Sequence, residues 1–197
     1  MNIANKLTML RIFLSFVFVF FLSFPFKGIW VLWAKALSLV TFIIAALSDF
    51  LDGFIAQRNN MVTDFGRLMD PIADKILVLA AFIAFVQMQL VDTWMVVVIV
   101  SREILITSLR LFALNKGKVL SAARAGKHKT ASQMLVIFVI LGFIVLKESV
   151  LTFSTWNPSW EKLFRSSIYV LMLLTVGLTL YSGLHYLWEN RKIIARL

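Results

Sequence analysis

No cysteine occurs in the chain of 197 residues, so disulfides and thiolate metal sites are both excluded. Its 2 histidines are too few and too far apart for a zinc site. Prolines number 3 and glycines 8, far below what collagen-like or Pro/Gly-rich disordered chains need. Acids are scarce as well: 10 Asp and Glu stand against 20 Lys and Arg, a net charge of +10. Charged residues make up only 15% of the chain and hydrophobic ones 60%, with 18 Phe and a mean hydropathy of +0.88. An ordinary soluble domain holds about half apolar residues. A basic soluble protein would point to nucleic acid. Against this apolar background the surplus cations point to anionic lipid head groups instead, and nucleic acid is not expected as a partner.

Charge-free runs cover Ile12–Phe26, Ala36–Ser48, Ile76–Val91, Thr93–Ser101, Thr130–Leu146 and Ser166–Trp188. A spanning helix needs about 20 mostly apolar residues, so all but the last run must draw charged residues into one end. Doing so predicts six spans, at 7–25, 30–57, 66–88, 92–115, 128–147 and 163–189. No small-residue cleavage site follows Phe21 to Phe26, so the first run reads as a span and not as a cleaved signal. Six spans place both termini on one side. Of the 20 Lys and Arg, only Lys27, Lys35, Lys147, Lys162 and Arg165 fall on the other side. The positive-inside bias then puts both termini in the cytoplasm. Turn residues Phe24 to Gly28 and Thr155 to Trp160 fall on the opposite face, where Trp156 and Trp160 suit a membrane interface. No repeat or linker divides the chain, which predicts a single domain, residues 1–197.

The few acids are not scattered. Asp49, Asp52, Asp64, Asp70 and Asp74 crowd one short stretch. Asp49 and Asp52 sit at i, i+3 at the end of the second span. Gly66, Asp70 and Asp74 sit at i, i+4, i+8 on one stripe of the third. Two antiparallel helices joined by a short loop bring four carboxylates together just inside the membrane. Each costs a few kcal/mol there on insertion scales, up to about 3.5. A hard divalent cation neutralises such a group, and oxygen donors favour Mg²⁺, Mn²⁺ or Ca²⁺. The blander alternative is a set of acids relaying protons or paired with Arg58, Arg67 and Lys75.

The stretch from Asp49 to Ala56, followed by Gly66 to Asp74, resembles the signature of the CDP-alcohol phosphatidyltransferases, D-x2-D-G-x2-A-R-x8-G-x3-D-x3-D. Seven of its eight fixed positions match over 26 residues. The exception is Gln57, with Arg58 one position later. Either Arg58 reaches round to the CDP pyrophosphate or Gln57 makes that contact. Asn5 to Arg11 is similar to the family's N-x-L-T-x-x-R opening. Ser101-Arg102-Glu103, Thr107 to Arg110 and Gly126 to Thr130 resemble the branch that uses glycerol 3-phosphate.

The resemblance implies an all-α integral membrane protein with six transmembrane helices and a polar active site at the cytoplasmic membrane interface. It implies a bacterial inner-membrane homodimer that moves the phosphatidyl group of CDP-diacylglycerol to sn-glycerol 3-phosphate, releasing CMP. It further implies two Mg²⁺ or Mn²⁺ ions on Asp49, Asp52, Asp70 and Asp74. Asp74 doubles as the base that takes the hydroxyl proton. Asn5, Thr8, Gly53, Ala56, Arg58, Thr63 and Gly66 match positions that hold CDP-diacylglycerol. Arg102, Arg110, Lys127 and Lys129 are candidates for the acceptor phosphate. Arg102 and Arg110 are roughly two turns apart and share a face. Arg favours bidentate phosphate binding and Lys acts as a point charge.

Other residues read more plainly. Lys116, Lys118 and Arg124 fit a loop on anionic lipid. Gly142, Ser182 and Gly183 read as close-packing positions, Phe13 to Phe26 as lipid-facing bulk, and Glu103 as a partner for an Arg. Rival functions are the same chemistry on serine, inositol phosphate or phosphatidylglycerol, and, from another class, a small cation transporter.

Overall fold

A computed structural model describes the backbone of residues 3–59, 64–118, 120 and 125–194, and the side chains of residues 8–48, 73, 75–118, 120, 129–191, 193 and 194. Among the described residues there is no strand. Six helices follow one another in these residues: α1 Ile3–Ser23, α2 Trp30–Asn59, α3 Asp64–Gln87, α4 Thr93–Asn115, α5 Ala125–Phe153 and α6 Pro158–Ile194. Three contain stretches long and apolar enough to cross a membrane, Trp30–Ser48, Lys129–Phe153 and Pro158–Arg191. Shorter apolar stretches lie at Thr8–Ser23 and Lys75–Gln87.

Inward stripes follow helical spacing. On α1 they are Thr8, Arg11, Ser15, Phe18 and Leu22, and on α2 Ala34, Ser38, Phe42, Ala45 and Ser48. The first helix is thus more than lipid-facing bulk. Phe13, Phe16 and Phe20 are exposed as expected, but Phe18 is fully buried and meets Phe42 at 5.4 Å between ring centroids. Helix α1 packs on α2 and α3, α2 on α5, and α6 on both α5 and α4. One apolar core, including Phe42, Phe82, Phe85, Ile99, Ile137, Ile140 and Met172, fills the middle of the bundle.

The last two helices run longer than their predicted bounds of 128–147 and 163–189. Glu148, Glu161 and Lys162 are therefore helical, not loop residues. Pairing allows this: Lys147 meets Glu161 at 2.8 Å, and Arg165 meets Glu161 at 2.7 Å one turn on. The turn between the two helices shrinks to 154–157. The Asn157 side-chain carbonyl accepts from the Ser159 backbone N–H at 2.8 Å, and Pro158 occupies the first helical position, where no N–H is needed.

Helix α3 ends on a left-handed residue. Gln89 has φ 56°, with Leu90 N–H bonded to the Phe85 carbonyl and Gln89 N–H to that of Val86. This is the double bond of a Schellman end, built without the usual glycine. Arg165 donates to the Gln89 carbonyl at 2.8 Å, so α6 clamps the turn. Gln89→Gly relieves the left-handed cost and keeps that carbonyl. It is expected to stabilise the protein by about 1 kcal/mol. The check is the thermal unfolding midpoint in detergent, which should rise; an unchanged or lower midpoint contradicts the account.

Candidate active site

Glu103 lies on the inward stripe of α4, between Ile99 and Ile106, and is buried. Its carboxylate receives Lys75 of α3 at 2.9 Å, Arg102 of α4 at 3.2 Å and the ammonium of Lys129 of α5. Arg102 also donates through Nη2 to Ser182 Oγ on α6 at 2.7 Å. One buried acid thus joins α3, α4 and α5, and its arginine neighbour extends the network to α6. The stem of Arg102 runs over Gly183: a Cβ there would meet Arg102 Cγ at 3.1 Å and Nε at 3.3 Å. Gly183 therefore makes room for the arginine. Gly142 does not fit the close-packing reading, since a Cβ there meets nothing within 4 Å.

Beside this network lies a cavity of about 210 Å³ lined by Lys75, Arg102, Glu103, Arg110, Lys129 and Tyr186, among others. A smaller pocket of about 90 Å³ adjoins it, sharing Lys75, Glu103 and Lys129 and adding Gln133. Four cations face one carboxylate around the larger space, so the cavity is strongly positive. Arg110 sits over the Tyr186 ring, 5.8 Å from its centroid. Buried donors lack protein partners here: Arg102 Nε and the Tyr186 hydroxyl at the larger pocket, Gln133 Nε2 at the smaller. Surplus positive charge is what a small anion requires.

Of the predicted acceptor-phosphate residues, Arg102, Arg110 and Lys129 converge on this cavity. The side chain of Lys127 lies outside the described residues. Lys75 and Glu103 belong to the same site, although the sequence reading placed Lys75 among the aspartates and gave Glu103 only an arginine. Tyr186 was missed. A faint signal was present: Ser182 and Tyr186 are one turn apart, on a face that also offers Gly183.

Asp49 and Asp52 lie on α2 and Asp70 and Asp74 on α3, at the ends joined through residues 60–63. Their side chains, and those of Asn5, Gly53, Ala56, Arg58 and Gly66, lie outside the described residues, as does Thr63 altogether. Thr8 is buried on α1. Among the described residues no group of three or more His, Asp or Glu could hold a metal. His185 lies 3.4 Å from Glu189 and stacks on Tyr181.

An all-helical membrane protein with paired aspartates on adjoining helix ends and an anion cavity beside them defines a class. The chain belongs to the CDP-alcohol phosphatidyltransferase family, whose model matches residues 1–182. Divalent-metal dependence is general in that family. Among its relatives, the CDP-diacylglycerol–glycerol-3-phosphate 3-phosphatidyltransferase of Bacillus subtilis (strain 168) is 40% identical over 149 residues, covering 71% of this chain and 76% of that protein. The protein of the same name from Pseudomonas fluorescens is 32% identical over 205 aligned positions, covering 100% of this chain and 95% of its own. That of Salmonella typhimurium is 34% identical over 199 positions, covering 96% and 95%.

Glu103→Gln leaves three cations without their shared counter-charge. Breaking a buried ion pair costs about 3–5 kcal/mol. The variant should therefore unfold at a clearly lower temperature in detergent, with Glu103→Asp intermediate. A wild-type midpoint for Glu103→Gln would show that the hub does not hold the bundle together.

Proposed function

We propose that this protein transfers the phosphatidyl group of CDP-diacylglycerol to sn-glycerol 3-phosphate, giving phosphatidylglycerophosphate and CMP. The cationic cavity carries the reading, because its surplus positive charge fits a small dianion. The names of the relatives point to the same acceptor. The acceptor hydroxyl forms a bond to the β-phosphorus, the pyrophosphate P–O bond breaks, and CMP leaves with that oxygen. Arg102, Arg110, Lys127 and Lys129, joined by Lys75, hold the acceptor phosphate. Asp74 takes the hydroxyl proton as attack proceeds.

Asp49, Asp52, Asp70 and Asp74 are assigned to two Mg²⁺ or Mn²⁺ ions, a donor set of hard oxygens that suits them. When bound, such ions neutralise the pyrophosphate and stabilise the leaving oxygen. Helical register supports the assignment. Asp49 and Asp52 follow buried Ala45 and Ser48 by four residues, and Asp70 and Asp74 precede buried Ala73 and Leu77 by three. Both pairs therefore continue inward stripes. Asn5, Thr8, Gly53, Ala56, Arg58, Thr63 and Gly66 are assigned to CDP-diacylglycerol. All six helices are read as membrane spans, with both termini in the cytoplasm of a bacterial inner-membrane homodimer.

A transporter needs a polar path across the bilayer. Among the described residues, the buried and part-buried ion pairs gather at two ends of the bundle with the apolar core between them, which favours the interfacial enzyme.

Purified protein given labelled CDP-diacylglycerol and a panel of alcohols should release CMP with glycerol 3-phosphate and stop when a chelator is added. Release with serine or inositol phosphate but not with glycerol 3-phosphate would refute the acceptor. Asp74→Asn should keep helical content and lower turnover by about 10²–10⁴-fold. Turnover near the wild-type rate would remove Asp74 from the role of base.

A further inference from the structure

A second polar pocket lies at the end of the bundle away from Glu103. It holds about 100 Å³, with Lys147, Glu148 and Arg165 set around apolar Leu90, Phe143 and Ile144. Lys129 and Lys147 are about five turns apart on α5, roughly 27 Å at 1.5 Å per residue. The hydrocarbon core of a bilayer is about 30 Å thick, so a helix that seats Lys129 at one interface seats Lys147 at the other. Trp156 meets both Phe143 of the pocket wall and Trp160, which is half exposed, as suits a membrane interface.

Two of the pocket's cations share one acid. Glu161 receives Lys147 at 2.8 Å and Nε of Arg165 at 2.7 Å, and Nη1 of Arg165 serves the Gln89 carbonyl. An ammonium has three N–H donors and a guanidinium five, so both side chains keep donors without a partner among the described residues. Those donors are reachable, since 30% of the Lys147 side chain and 47% of that of Arg165 are exposed. Glu148 lines the same pocket and forms no ion pair among the described residues. Lys35 lies within electrostatic reach of it but donates to the Leu22 carbonyl. A carboxylate at the edge of hydrocarbon is costly unless a cation meets it. The pocket thus offers spare cationic donors and an unmatched carboxylate around an apolar floor.

We infer that this pocket binds the head group of a zwitterionic phospholipid with a primary ammonium, in the leaflet opposite the active site. The phosphodiester accepts from Lys147 and Arg165, and the ammonium donates to Glu148. The apolar floor selects a lipid over the free head group, because the acyl chains continue along a surface already apolar: Leu146, Leu151 and Phe153 are exposed on α5. A quaternary ammonium fits less well. It has no N–H to give a carboxylate and is held instead by open aromatic faces. The one aromatic ring lining this pocket, Phe143, is already engaged by Lys147 and by stacking on Phe164. The inference rests on reading α5 and α6 as membrane spans and does not depend on the acceptor assigned above.

The test is native mass spectrometry of the purified full-length chain in detergent. It is titrated with phosphatidylethanolamine or phosphatidylcholine of matched acyl chains, and separately with soluble phosphoethanolamine. The wild-type chain should hold phosphatidylethanolamine about tenfold more tightly than phosphatidylcholine, the difference of one hydrogen bond between charged groups. Glu148→Gln should abolish that preference. Lys147→Gln should weaken both lipids alike, and it tests the phosphate contact independently if Glu148→Gln folds poorly. Equal retention of the two lipids by the wild-type chain would overturn the inference. So would an undiminished preference in Glu148→Gln, or unchanged retention in Lys147→Gln. Soluble phosphoethanolamine bound as tightly as the lipid would overturn the assignment to a lipid. Retention is read without turnover, so its failure leaves the proposed reaction standing.

Discussion

A single buried carboxylate holds the working end of this molecule together. Glu103 gathers Lys75, Arg102 and Lys129 from three helices, and Arg102 carries the connection to Ser182 on a fourth. Apolar contacts give a membrane bundle little preference for one register over another, since lipid tails solvate the same side chains as well as a neighbouring helix does. Buried charge is different. An ammonium or guanidinium beside hydrocarbon is costly unless it meets its partner, so the pairing restricts how far α4 can slide or turn against α3, α5 and α6. The same hub sets the chemistry. One carboxylate cannot neutralise four cations, and the remaining positive charge makes the adjoining cavity a site for an anion.

The opposite end of the bundle is polar in another way. There Lys147 and Arg165 share Glu161, Trp156 donates to that glutamate at 3.1 Å, and Arg165 caps the carbonyl of Gln89. Lys35 donates to the carbonyl of Leu22 where α1 gives way to α2. These groups close turns and pair helix ends. Surplus positive charge collects at the end carrying the aspartates, so the fold is chemically one-sided although its helices alternate in direction.

Much of this was legible in the sequence because membranes impose simple rules. Charge-free runs located all six helices, since an apolar run of that length has few other destinations. Helix ends were less legible at α5 and α6. Lys147 and Glu161 stay within helices through a partner on another helix, and a one-dimensional reading takes a charge as an end. The aspartate pairs stand out by spacing alone, because i, i+3 and i, i+4 repeats fix a helix face. The hub could not be read that way: its ties run from Glu103 to Lys75 and Lys129, 28 and 26 residues away, and from Arg102 to Ser182, 80 residues away. Glycines show the same limit. Gly142 and Gly183 look alike in sequence, yet one faces open space and the other seats Arg102.

On the proposed assignment of the site, the sequence adjacency of Asp74 and Lys75 accounts for a small acceptor. Consecutive Cα atoms are about 3.8 Å apart, and consecutive side chains on a helix diverge by about 100°. Lys75 turns toward Glu103 and the anion cavity. Position 74 is the next residue along α3, three before buried Leu77. The cationic cavity therefore begins one residue from the aspartate-bearing stretch of α3. Glycerol 3-phosphate has a hydroxyl at the end of a three-carbon span from its phosphate, and serine has no phosphate to anchor. On the proposed assignment, acceptor choice then follows from how near α3 brings position 74 to the cationic cavity.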